Sequence, residues 1–369
     1  MTRQARILCI LTTAVVIVTG LALQAQAPQR TGTAAAAPHS AKTAPTYVPP
    51  KTPWGDPDLQ GTYTNKDENG IPMERPTQFA GKSADDVDDS EFAEIVRERQ
   101  QRALASAAGI GGADTGAGPV HWYEHYNVNN SRGWMVVDPP DGRLPDQTAA
   151  AQQRLGGGRA GGRGAGGAPP AAAAGAAGRA GGAAGAGRGG LGEGGRADSW
   201  LDRSLYDRCI SRGFPGSMMP AIYGNAYDIT QAPGMVAIRY EMIHETRIIP
   251  LDDSPRPGKS ITSYMGSARG HWEGNTLVVE TMNLRTPYRN GSAKQKLIER
   301  FVPTAPGVIE WSMTVDDPET WVKPWTFAMR LTADPDQPLF EYACHEGNYA
   351  MRNILSAARA EEARAAGQK

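Results

Sequence analysis

Residues 270–283 read GHWEGNTLVVETMN, and this stretch predicts a β-hairpin. Gly270–Trp272 and Thr276–Asn283 are short runs in the part of the chain where the hydrophobic pattern changes to a period of two, which is typical of strands. Between them, Glu273–Asn275 carries the glycine that a tight hairpin turn favours. The stretch therefore predicts two antiparallel strands joined by a short turn.

The same period of two recurs on both sides of this hairpin. Upstream, Ala226–Gln231 and Met235–Pro250 flank the turn signal Ala232–Gly234. Further strands are predicted downstream, over Gln295–Val302, Val308–Val315, Trp321–Leu331 and Leu339–Cys344. The connections are short and rich in Pro, Asp and Gly, which predicts hairpins without long crossovers. Because so many strands must protect their edges, we expect a mainly β fold, an antiparallel up-and-down barrel or meander.

Helices and one further strand pair are predicted around this sheet. His121–Asn127 and Gly133–Val137 read as strands, while helices are expected over Ser83–Ala108, Asp198–Arg212 and Tyr349–Ala365. The last helix has an apolar stripe formed by Met351, Ile354, Leu355 and Ala358. We expect these helices to cap the sheet.

The N-terminus has the pattern of an export signal over residues 1–27. Two arginines precede the apolar run Ile7–Leu23, and Ala25–Ala27 supplies small residues for cleavage. The alternative is an uncleaved membrane anchor, since the run approaches the length of a span. No later stretch is apolar enough to cross a bilayer, so we expect no membrane span in the mature form and a periplasmic or secreted location.

Charge and cysteine content fit an exported protein. With 38 basic and 39 acidic residues the net charge is −1, which argues against a nucleic-acid-binding protein. Cys9 lies in the signal, which leaves Cys209 and Cys344. In an oxidising compartment these two can form a disulfide, and the alternative is a pair of buried free thiols.

Composition divides the rest of the chain. A disordered tether is predicted over 28–51, the first part of the β domain over 52–148, and the main part of the same domain over 198–369. Between them, 149–197 is a Gly/Ala/Arg-rich insertion whose six arginines and one glutamate give a charge of +5. We expect this insertion to be disordered and able to touch anionic surfaces. Its match to G-x-G-x-x-G lacks a preceding strand and does not predict a nucleotide site.

Four stretches resemble a family of uncharacterised exported bacterial proteins. They are TPWGDPDLQG at 52–61, VDPPDGR at 137–143, WEGNTLVVET at 272–281 and YACHEGN at 342–348. The resemblance implies an exported, β-rich protein and brings no reaction with it. Gly61-Thr62-Tyr63 is also similar to the G-x-W opening of lipocalin-like barrels, which implies the same architecture.

His121–His125 reads HWYEH, the inverted zinc-protease pattern H-x-x-E-H. That chemistry needs both histidines on one face of a helix, but glycine and proline precede the stretch and several asparagines follow it. Residues four apart also share a face in a strand, so a metal site of another kind stays open. The favoured interpretation is an aromatic strand with two incidental histidines and no metal.

Two histidine sites could support acid–base catalysis. Alternation from Tyr240 to Thr246 places His244 on the interior face and a charged row, which includes Arg247, on the solvated face. His345 and Glu346 follow the last predicted strand, at the mouth of the expected barrel, where a general base and its carboxylate partner would meet substrate. The candidate catalytic residues are therefore His345, Glu346 and His244. The alternatives are a hydrogen-bonded core histidine and a helix-capping turn.

Aromatic side chains on the predicted interior could bind a flat ligand by stacking. The candidate ligand-binding residues are Tyr240, Trp272, Trp321 and Trp325. The alternative is that these rings form ordinary core.

Three functions are compatible with these features. The first is an exported β-barrel protein that binds a small apolar or aromatic ligand. The second is an acid–base enzyme without a cofactor, such as a hydratase, isomerase, lyase or hydrolase. The third is a structural envelope protein. We favour the first, with a small-molecule ligand or substrate as the partner and no cofactor.

Overall fold

The strands found in the structure match most of the predicted ones. The computed structural model describes residues 47–82, 86–87, 90–94, 97–98, 132–160, 197–221, 223–336 and 339–367. The predicted signal peptide, the strand His121–Asn127 and most of the Gly/Ala/Arg insertion lie outside these residues. All described residues belong to one compact unit.

Ten strands form a single antiparallel sheet. Their bounds are β1 Gly61–Thr64, β2 Val136–Asp138, β3 Ala226–Ala232, β4 Met235–Tyr240, β5 Thr246–Pro250, β6 Ser267–Glu273, β7 Thr276–Met282, β8 Lys296–Ala305, β9 Val308–Asp316 and β10 Trp325–Ala333. Two helices are resolved in full, α1 Ala149–Ala160 and α2 Ala350–Gly367, and residues 90–94 and 97–98 are also helical. The prediction of a mainly β antiparallel fold with a C-terminal helix is confirmed.

The strand order is that of an up-and-down meander with one open seam. Neighbouring strands follow the order β5-β4-β3-β1-β10-β9-β8-β7-β6, and β2 pairs with β10. The short β1 joins the two halves, because it pairs with β3 on one side and with β10 on the other. Within the described chain, β5 and β6 are the two sheet edges and do not pair, so the sheet is not closed.

The sheet nevertheless curls enough for distant strands to meet. Arg247 on β5 donates to Glu299 on β8 at 3.0 Å and to Thr281 on β7 at 2.6 Å. At the open seam, a Cβ atom on Gly270 of β6 would lie 2.7 Å from Leu251 and 2.9 Å from Ile249. The absence of a side chain on Gly270 therefore lets the two edges pack closely.

Aromatic rings fill the interior of the curled sheet. Trp311, Trp325 and Phe327 are completely buried, and neighbouring rings lie 5.6 Å apart. Tyr288 packs on the same cluster at 6.1 to 6.3 Å. These contacts make the interior a packed core.

Three predicted elements are wrong. Met235–Pro250 is not one strand, because a 3-10 turn with left-handed backbone at Ile243 and His244 separates β4 from β5. Asp198–Arg212 contains only the 3-10 turn Trp200–Asp202 followed by further turns, and Leu339–Cys344 is irregular. Each of these stretches lies beside the candidate site described next.

Candidate functional site

The four candidate ligand-binding side chains face the interior, but they do not form one site. Trp321 and Trp325 are buried and pack edge to face at 5.7 Å. Tyr240 is also buried and packs at 5.9 Å on Tyr227, while Trp272 is half-buried on β6. The indole N–H groups of all three tryptophans lack an acceptor among the described residues.

Tightly packed side chains fill the interior of the described structure. A cleft lined by Tyr63, Asp58, Ile309 and their neighbours has a free volume of about 30 Å³. That volume suffices for about one water molecule. A ligand-binding role for the four aromatic residues stays a prediction.

The candidate catalytic residues lie on the surface and are not brought together. His345 and Glu346 are exposed in the turn before α2. His244 is exposed as well, with its Nδ1 at 3.2 Å from the carbonyl oxygen of Tyr342 and 3.8 Å from the carboxylate of Glu341. In the described structure, no hydrogen bond or ion pair joins His244 to either of the other two.

The interior position predicted for His244 is wrong for a physical reason. Left-handed backbone at Ile243, φ 62°, and at His244, φ 45°, turns the chain between the two strands. The alternation restarts after this turn with the opposite phase, so Arg247 points inward and Thr246 outward. Arg247, predicted on the solvated face, is therefore a core residue.

A disulfide joins Cys209 and Cys344, as the sequence predicts. It holds the turn-rich segment after Trp200 against the segment before α2, with the two Cα atoms 5.7 Å apart. The side-chain amide of Asn348 donates to the Cys209 sulfur at 3.1 Å. Residues far apart in sequence meet here.

Three tyrosines converge beside the disulfide, and we call Tyr206, Tyr223 and Tyr342 the tyrosine cluster. The hydroxyl oxygens of Tyr206 and Tyr223 lie 3.4 Å apart. The rings of Tyr223 and Tyr342 are 6.3 Å apart and stacked at 25°, and their hydroxyls are hydrogen-bonded. All three side chains are half-buried.

The hydroxyls of the tyrosine cluster can form one continuous chain of hydrogen bonds. Tyr206 lies within hydrogen-bonding distance of the Met242 sulfur, at 3.5 Å, and either hydroxyl can donate between Tyr206 and Tyr223. One arrangement uses each phenol proton once: Tyr342 donates to Tyr223, Tyr223 to Tyr206, and Tyr206 to Met242. The outer end of this chain is the Tyr342 oxygen, which keeps its acceptor lone pairs.

Burial stabilises the protonated form of the three phenols. It raises the pKa of Tyr342 to about 12, and the neighbouring Tyr223 adds to the shift. Burial also raises the pKa of Tyr223 and of Tyr206, although the guanidinium of Arg212, 5.8 Å from the Tyr206 ring, acts in the opposite direction. At neutral pH the tyrosine cluster is thus an uncharged, polar aromatic surface.

The local backbone explains how the tyrosines come together. Gly224 has φ +73°, and a Cβ atom there would lie 2.5 Å from the Met242 methyl group. This glycine lets Met242 pack directly against the chain beside Tyr223. Ser211, next to Arg212, donates to the carboxylate of Glu245 at 2.8 and 2.9 Å, which ties the disulfide segment to β5. Burial raises the pKa of Glu245, and the hydrogen bond from Ser211 only partly offsets this by lowering it.

Sequence reasoning identified the aromatic content of this region without identifying the site. It missed Tyr206 and Arg212, which it placed in a helix, and assigned Glu245 to a solvated face. The pairing of Cys209 with Cys344 was the available signal. Tyr206 precedes Cys209 by three positions and Tyr342 precedes Cys344 by two, so a disulfide between the cysteines brings the two tyrosines close together.

The described residues contain no cluster of three or more side chains suited to bind a metal ion. The His121 and His125 pair lies outside them. No helix in the described part of the chain is long and apolar enough to cross a membrane.

Comparisons with known proteins assign no family to the chain. No family model matches it, and no curated protein matches its sequence. Among solved structures, it is similar to a secretary abundant heat soluble (SAHS) protein from Ramazzottius varieornatus, with 12% identity over 35% of this chain and 86% of that one. The TM-score of 0.21 is too low to support an argument about fold or function.

Proposed function

We propose that this is an exported protein that binds a small aromatic ligand at the tyrosine cluster. The observation that carries the proposal is the convergence of three neutral phenols from separate segments beside a disulfide. The packed interior favours this surface over the inside of the sheet as the binding site.

The ligand is expected to carry a hydrogen-bond donor. The stacked rings of Tyr223 and Tyr342 provide an apolar face for a flat molecule. When Tyr342, Tyr223 and Tyr206 each donate inward along the cluster, the hydrogen-bonding capacity left at the outer end is the acceptor on Tyr342. A hydroxyl or amine on an aromatic ring fits both features.

Export rests on the signal pattern of residues 1–27 and is supported by the disulfide, a bond that persists in oxidising compartments. The alternative, an acid–base enzyme that uses His345, Glu346 and His244, has less support. All three side chains are exposed, and they do not share a binding cavity in the described structure.

A matched pair of probes tests the proposal. 4-Methylphenol has a hydroxyl donor, whereas 4-methylanisole has the same ring without it. We expect saturation-transfer NMR to show several-fold tighter binding of 4-methylphenol, a preference that Tyr342→Phe removes. Tyr349→Phe is the control, because Tyr349 is exposed outside the cluster. Absence of binding by both probes, or a preference that survives Tyr342→Phe, would contradict the proposal.

A further inference from the structure

The two cysteines of the disulfide differ in their access to solvent. Cys209 is buried, with 4% of its surface exposed. Cys344 is half-buried and lies between the exposed residues Ala343 and His345. Thiol–disulfide exchange begins when a thiolate reaches one of the two sulfurs, so access helps to decide which sulfur is attacked. A small thiol in solution therefore meets Cys344 first.

A hydrogen-bond donor contacts the other sulfur of the disulfide. The side-chain amide nitrogen of Asn348 donates to the sulfur of Cys209 at 3.1 Å. The orientation of this amide is fixed, because its oxygen accepts a hydrogen bond from the backbone N–H of Ala350 at 2.9 Å. The amide N–H group therefore faces the sulfur that would leave if Cys344 were attacked.

Asn348 also places the Cys209 sulfur close to the N-terminus of α2. Ala350, whose N–H the Asn348 side chain accepts, is the first residue of this helix of 18 residues. The unpaired backbone N–H groups of a first helical turn carry a partial positive charge, which stabilises an anion nearby. The amide of Asn348 and the end of the helix thus both favour negative charge on the sulfur of Cys209.

We propose that Cys344 is a modification site, at which a low-molecular-weight thiol opens the disulfide. The thiolate of the small molecule attacks the Cys344 sulfur and forms a new sulfur–sulfur bond with it. The bond to Cys209 breaks in the same step, and its electron pair stays on Cys209 as a thiolate. One disulfide replaces another, so the step needs no separate oxidant or reductant. Stabilisation of the leaving thiolate speeds such an exchange. This inference does not depend on the ligand proposed above.

Modification at Cys344 removes a covalent link beside the tyrosine cluster. Tyr342 lies two residues before Cys344, and residues 339–349 form neither a strand nor a helix. Once the disulfide is open, Tyr342 is held against the rest of the cluster by noncovalent contacts. One of these is the 3.2 Å contact between Nδ1 of His244 and the carbonyl oxygen of Tyr342. The state of Cys344 therefore controls how firmly this segment is attached.

Peptide mapping of the mixed disulfide tests the proposal on the processed protein. The probe is 2-mercaptoethanol, a neutral thiol, because exposed Glu341 and Glu346 flank Cys344 and would repel an anionic one. The reaction is stopped with acid, which protonates thiolates, and a maleimide then labels the free cysteine. We expect the mercaptoethanol adduct on Cys344 and the maleimide on Cys209. An adduct chiefly on Cys209, equal adducts on both cysteines, or a disulfide that resists the thiol overturns the proposal.

The rate of opening tests the leaving group, including the case in which the adduct is too short-lived to map. Asn348→Asp keeps an acceptor for the N–H of Ala350 but loses the donor to Cys209, so we expect opening to slow by about fivefold. Asn348→Ala, which adds no charge, should slow it in the same direction. Asn353→Asp is the matched control, because Asn353 is exposed in the first turn of α2. Opening that is unchanged or faster in both Asn348 variants would overturn the proposal.

Discussion

At the scale of single residues, an ion pair lies where an apolar core is expected. Arg247 and Glu299 are buried and joined by two hydrogen bonds, and Trp311 donates to the same carboxylate at 3.1 Å. Burial is the largest single effect and lowers the pKa of Arg247, but Glu299 and Tyr240 together outweigh it and raise that pKa above the usual value. The Phe214 ring, 4.0 Å from the guanidinium, covers the pair. Arg247 therefore keeps its positive charge inside the fold.

Glu299→Ala is expected to destabilise the protein strongly. It leaves the Arg247 charge buried without a partner, which costs roughly 3–5 kcal/mol. Glu273→Ala, which breaks the exposed pair with Arg300, should leave the free energy of unfolding nearly unchanged, because solvent screens that pair. Urea unfolding of both variants measures the difference. Similar small losses would show that the buried pair does not fasten the curled sheet.

The tyrosines predict a loss of stability in alkaline solution. A phenol whose pKa is raised by folding binds its proton more tightly in the native state, so stability is complete below pH 10 and falls as the pH rises toward the folded value. For Tyr342 that window extends from the unfolded value of 10.0 to about 12. Urea unfolding at a series of pH values, followed with phenolate absorbance, should show the decline. Titration of all tyrosines near pH 10 in the folded protein would contradict this prediction.

At the scale of elements, the seam between β5 and β6 depends on Gly270. A methyl group there meets Leu251, Ile249 and Leu277 within 3.3 Å. We expect Gly270→Ala to reduce the free energy of unfolding by about 1–3 kcal/mol through overpacking. Gly258→Ala is the control, because its Cβ would meet nothing within 4 Å. Equal stability of the two variants, measured by urea unfolding, would mean that the seam is loosely packed.

The disulfide fixes the segments that build the tyrosine cluster. Its 135-residue separation closes a long loop, so Cys209→Ser with Cys344→Ser should cost roughly 2–5 kcal/mol. The near-ultraviolet circular dichroism of the tyrosines should weaken even where the sheet persists. An unchanged near-ultraviolet spectrum would show that the tyrosine cluster forms without the bond.

The strand pattern predicted the sheet well wherever neighbouring strands are joined by tight turns. β6 and β7 form the hairpin predicted from 270–283, although Leu277, Val278 and Val279 are buried in succession rather than alternately. The pattern failed at Met235–Pro250, because a left-handed residue such as Ile243 leaves no trace in a hydrophobic period. The strand pattern also did not predict that β1 lies between β3 and β10 and pairs with both. Such pairing between strands that are distant in sequence depends on how the whole sheet assembles.

At the scale of the whole molecule, the sequence predicted several residues of the site but not how they are arranged in space. His244, Cys209 and Cys344 were singled out, and the structure places them beside Tyr342. Tyr206 and Arg212 could not be assigned, because their position depends on a contact across more than a hundred residues. His345 and Glu346 show the opposite outcome. They are adjacent in sequence and chemically suited to acid–base catalysis, but both are exposed and they do not form a common site with His244.

Native mass spectrometry of the protein purified from its host tests the central claim most directly. We expect an additional discrete mass, released on denaturation, that belongs to an aromatic molecule with a hydroxyl or amine group. It should be lost from the Tyr223→Ala with Tyr342→Ala variant and kept by Tyr349→Ala. A bare protein mass, even after incubation with the small-molecule extract of the host, or an adduct that the double variant retains, would contradict ligand binding at the tyrosine cluster.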